Sequence, residues 1–164
     1  MTAQPSREQF RALAAEFSVV PVWREVLADQ ITPVAGFARL VGDEPGFLLE
    51  SVVGGERFGR YSFIGLPART LLRATGFGAD AVTEIERDGV VIESARGNPL
   101  DFVAAYQQRF KVALRPGLPR FCGGLAGYFG YDTVRHIEKK LESTCPPDTL
   151  GCPDILLLQC EELA

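Results

Sequence analysis

Glu84-Ile85-Glu86-Arg87-Asp88-Gly89-Val90-Val91-Ile92-Glu93 is the stretch on which the fold reading turns. Two short strand-like runs flank Asp88-Gly89, a pair that supplies the positive φ angles of a type I′ turn, so the stretch predicts an antiparallel hairpin. Upstream, Arg69 to Thr75 reads as a strand that sets Leu71 against Leu72 and Arg73 across the pleat, and Tyr61 to Ile64 reads as another. Phe47-Leu48-Leu49-Glu50-Ser51-Val52-Val53 lies between Pro45-Gly46 and Gly54-Gly55, which predicts a short, mostly buried strand. Downstream, Gly123 to Tyr131 interleaves glycines with Leu125, Ala126, Tyr128 and Phe129, the pattern of a strand that other backbone approaches closely. Asp154 to Gln159 contains Ile155-Leu156-Leu157-Leu158 and predicts a strand buried on both faces.

Helix signals are interspersed. Ser6 with Gln9 makes a capping box ahead of Phe10, Leu13, Ala14 and Phe17, an amphipathic spacing running from Ser6 to Phe17. Thr32 and Pro33 form an N-cap and first-position pair for a helix that Gly42 closes, and Asn98 with Pro99 and Asp101 opens another carrying Phe102, Val103, Tyr106 and Phe110. Asp132 or Thr133 is expected to cap a short charged helix through Leu141. Val19 to Trp23 is β-rich, but Pro21 makes it a strand edge or an irregular stretch. The sum is an α+β chain: a mixed, mostly antiparallel sheet with packed helices.

Composition narrows the function. The 164 residues are 46% apolar and 23% charged, an ordinary globular composition, and one domain over 1–164 is the default. Lys and Arg number 17 against 21 Asp and Glu, a formal charge of −4, so the basic footprint of a nucleic-acid binder is missing. No apolar run reaches the roughly 20 residues that span a bilayer, and the first residues carry Arg7, Glu8, Arg11 and Glu16, so neither membrane nor nucleic-acid partners are expected and the cytoplasm is. Cys122, Cys145, Cys152 and Cys160 form no Cys-x-x-Cys pair and fit no common zinc spacing with His136, the one histidine; free thiols and no metal are expected.

Chemistry-bearing motifs are incomplete. Gly54 to Tyr61 has the glycine interval of a phosphate loop, but Arg60 and Tyr61 stand where that loop needs Lys and a hydroxyl residue. Gly123, Gly124, Gly127 and Gly130 lack the order of a dinucleotide fingerprint. His136 reads as a surface helix position, and Glu84 with Glu86, like Glu161 with Glu162, as solvated charge. The residues alone give no catalytic set.

Three co-ordered blocks add a resemblance. Leu48-Leu49-Glu50-Ser51, then Gly59-Arg60-Tyr61-Ser62-Phe63-Ile64-Gly65, then Gly123-Gly124-Leu125-Ala126-Gly127-Tyr128-Phe129-Gly130-Tyr131-Asp132 with Arg135 and Glu138, resemble the amino-terminal region of anthranilate synthase component I, a chorismate-utilising enzyme family. The resemblance implies a parent enzyme that turns chorismate and ammonia into anthranilate and pyruvate with Mg2+, in tryptophan biosynthesis. It implies a glutamine amidotransferase partner, component II, as the ammonia source. It also implies that the chorismate and magnesium sites belong to a carboxy-terminal domain beyond Ala164, so that this chain carries the regulatory region without catalytic residues of its own and is inactive alone. By the same resemblance Leu49, Glu50 and Ser51 form a wall of an L-tryptophan feedback site and Arg60 approaches the ligand. Two alternatives stand beside this: the related region of aminodeoxychorismate synthase component I, in folate biosynthesis, and a free-standing small-molecule-binding domain.

Overall fold

A computed structural model describes residues 2–50, 61–145 and 148–164. Among them are three helices, α1 (Arg7–Ala14), α2 (Pro33–Leu40) and α3 (Pro99–Gln107). The strands are β1 (Phe47–Glu50), β2 (Ser62–Gly65), β3 (Thr70–Thr75), β4 (Val82–Arg87), β5 (Val90–Arg96), β6 (Gly124–Phe129) and β7 (Ile155–Cys160). The α+β expectation holds, with every strand pairing antiparallel.

The five-stranded sheet runs β5-β4-β3-β7-β6. Its first three strands are a local meander, closed by the expected turn with φ 51° at Asp88 and 79° at Gly89. Ile85 pairs with Glu93 but Glu86 with Val91, so Ile92 is an extra residue on β5. That bulge sits on an edge strand whose Val90 and Ile92 are exposed, and a bulge there works against pairing with another chain. β7 lies between β3 and β6, with Leu72 opposite Leu157 and Ala74 opposite Ile155. Period-two alternation turns Leu72, Ala74, Ile85, Ile155 and Leu157 to one face, where Val103 and Tyr106 of α3 cover them. Burying each large aliphatic chain there is worth about 1.5–3 kcal/mol, whereas exposed ion pairs such as Arg69 with Asp88 contribute little, so burial and not charge pairing holds the sheet.

The capping residues act as their positions dictate. Ser6 and Gln9 complete the capping box, the Thr32 hydroxyl accepts from the Ala35 N–H, and the Asn98 side chain accepts from the Leu100 N–H. A second, two-stranded sheet pairs β1 with β2, with α2 against one face and the chain end along an edge, where Ile64 and Ala164 exchange both backbone hydrogen bonds.

Several expectations need correction. The run from Phe47 is a strand, but it is not mostly buried: Leu49 is 51% exposed, because a two-stranded ribbon cannot cover both of its faces. Residues 51–53 of that run lie outside the described residues. The charged helix through Leu141 is instead two 3-10 turns, Tyr131–His136 and Lys139–Thr144, with no side-chain cap, because Thr133 is buried and its hydroxyl donates to the Asp154 carbonyl oxygen. β7 is not buried evenly on both faces: Ile155 and Leu157 are buried beneath α3, while Leu156 and Leu158 on the other face are only partly buried. α1 forms as expected but buries none of its residues. Val19 to Trp23 contributes only isolated bridges, Gln4 with Trp23 and Val19 with Val112, as its proline requires.

Two predictions test this packing. A Cβ at Gly127 would overlap the carbonyl oxygen of Leu156 on the neighbouring strand, so Gly127→Ala should cost about 1–3 kcal/mol, a fall in Tm of about 2–4 °C per kcal/mol by circular dichroism. The buried Tyr106 hydroxyl donates to Gln159 Oε1 at 2.5 Å, tying α3 to β7, so Tyr106→Phe should lower Tm by about 2–4 °C, the loss of roughly 1 kcal/mol, with unchanged secondary structure.

Candidate functional site

The first two sequence blocks become neighbours in space. β1 and β2 pair so that Leu49 faces Phe63 and Glu50 faces Ser62. Side chains alternate along a strand, so Leu49 and Glu50 project to opposite faces of the ribbon. On Leu49's face stand Phe47 and Phe63, whose rings lie 6.1 and 5.6 Å from that of Phe121, the second contact nearly edge-on. Tyr61 extends the group, stacked on Phe63 at 6.1 Å. On Glu50's face is Ile64, buried against Gly36 of α2. Ser51 and Arg60 lie outside the described residues; of the four expected ligand-binding positions the structure describes Leu49 and Glu50, which are chain neighbours facing opposite ways. The Glu50 carboxyl is exposed.

The aromatic cluster was missed in the sequence. Phe121 lies far along the chain from Phe47 and Phe63 and follows a proline-rich turn, so no periodicity connects it to them. The chain entering the third block therefore packs on the first two. Farther along that block the roles are structural: Gly130 approaches the Asp154 carbonyl oxygen so closely that an added Cβ would lie 2.9 Å from it. Arg135 donates to Asp132 Oδ1 at 2.8 Å, to Thr144 Oγ1 and to the Leu141 carbonyl oxygen, pinning both 3-10 turns together.

Two residues read as surface charge or surface helix have other surroundings. His136 is half-buried with its ring 5.0 Å from that of Phe77, because the 3-10 turn folds it against the sheet end. Glu86 lies over the sheet and pairs with Arg73 Nε at 3.3 Å rather than being wholly solvated. The thiol of buried Cys160 is pushed up to about 11 by desolvation, so it stays protonated at neutral pH and is no nucleophile.

Asp154 is the junction of these segments. Its Oδ2 accepts from the Gly76 N–H at 2.9 Å, its carbonyl oxygen accepts from Gly130 and Thr133, and its N–H donates to Ala74. Burial raises its carboxyl above the ordinary aspartate range, with the Gly76 N–H and His136 working the other way and Asp132 and Asp148 adding to the rise.

Curated proteins match the chain almost from end to end. It is 46% identical over 163 residues to anthranilate synthase component 1 of Neisseria meningitidis serogroup B, across 97% of the chain and 32% of that relative. It is 50% identical over 155 residues to the protein of the same name from Pseudomonas putida, and 50% over 156 residues to that from Pseudomonas aeruginosa, each match taking in 93% of the chain and 31% of the relative. The chain is similar to anthranilate synthase component 1. It spans about a third of the length of those proteins, at their amino-terminal end. No family model matches it. These relatives carry the name of the anthranilate branch, the one to which the motif blocks pointed. Among the described residues, no helix is long and apolar enough to cross a membrane.

The Asp154 geometry yields a pH prediction. A carboxyl raised in the folded state binds its proton more tightly there than in the unfolded chain, so its contribution is favourable in acid and is lost as pH rises through the folded value. Asp154→Asn keeps an oxygen for the Gly76 N–H and removes the buried charge. Its Tm should exceed that of the unaltered chain at pH 7, and the gap should close toward acid; thermal unfolding from pH 3 to 8 checks this.

Proposed function

We propose that this chain is the regulatory region of an anthranilate synthase component 1 and supplies one wall of an L-tryptophan feedback site. One observation carries the reading: 46–50% identity to component 1 proteins over nearly the whole chain, with the three motif blocks in order. The ribbon offers suitable chemistry. An indole needs apolar surface, available beside Leu49 and the Phe63 ring; the amino-acid head needs charge complements, Glu50 for its ammonium and Arg60 for its carboxylate, with Ser51 between them in sequence. Because Leu49 and Glu50 face opposite ways, a single ligand would meet both only by lying across the end of β1, where Ser51 follows.

On this reading the whole enzyme converts chorismate and ammonia to anthranilate and pyruvate, with the ammonia delivered from glutamine by a component II amidotransferase. Among the described residues no three His, Cys, Asp or Glu side chains gather into a metal-holding group. Chorismate and the metal are assigned to the remainder of the enzyme, in a carboxy-terminal domain.

Magnitudes say what the wall does alone. Burying an indole removes roughly 150–250 Å² from water, worth about 4–6 kcal/mol, and association costs at least ~4 kcal/mol in lost freedom. Half a pocket collects only part of the gain. The isolated chain should therefore turn over no chorismate and bind L-tryptophan more weakly than low-micromolar, measured by anthranilate fluorescence and calorimetry; turnover by the pure chain sinks the assignment. Joined to the remaining length of the Pseudomonas aeruginosa relative, a bulky substitution at Ser51 should abolish tryptophan inhibition while leaving turnover largely intact. Lost turnover with inhibition preserved would refute the regulatory role.

A further inference from the structure

We draw no further inference here: the strongest candidate, the half-buried apolar row of Leu71, Leu156, Leu158 and Ala126 on the face of the five-stranded sheet turned away from α3, carries nothing because nothing in the structure shows what covers it.

Discussion

The pairing of β3 with β7 joins two pieces that could each form locally. The β3-β4-β5 meander is sequential, and β6 with β7 is a hairpin of long connection, but it is the four-pair ladder from Leu71 with Leu158 to Ala74 with Ile155 that makes one sheet of them. Closing so long a loop costs entropy that grows only slowly with its length, and the burial of Ile155 and Leu72 beneath α3 offsets it. Asp154 extends the junction past the last ladder pair through its bonds to Ala74 and Gly76. The half-buried carboxyl itself makes only the bond from the Gly76 N–H, while burial disfavours its charge.

What was legible in the sequence follows from this division. Ser6, Thr32 and Asn98 bond to N–H groups two or three residues away, and Asp88-Gly89 sets its own dihedral angles, so their elements could be read from short windows. The glycines of β6 were legible as signs of close approach, though not that Leu156 is the neighbour at Gly127. The bulge at Ile92 was not legible, since it depends on register against β4, and neither were the 3-10 turns after β6, where a tertiary bond from Thr133 to Asp154 claims the hydroxyl that would have capped a helix. The burial of the Phe47 run was misread because an apolar run reports what a strand could bury and not how many layers surround it. For the candidate site, the order of the motif blocks was legible and led to the family; the opposed directions of Leu49 and Glu50 and the ring of Phe121 on Phe63 needed the fold.

The ribbon that carries the proposed ligand positions is not self-sufficient. A two-stranded sheet is marginal by itself, and here it depends on α2 on one face, on Phe121 reaching over from the third motif block, and on the Ile64–Ala164 bonds along an edge. Each support comes from a different part of the chain, so a shift in any one reaches Leu49 and Glu50 through a single pair of strands. Feedback control requires an effector to favour one arrangement of the enzyme over another, and equal affinity for both would change nothing. An element near the low end of local stability is one whose arrangement a few kcal/mol of ligand binding can bias, whereas the α3-covered sheet would absorb the same energy without moving. On the proposed reading, an effector wall on the ribbon rather than on the sheet would suit regulation.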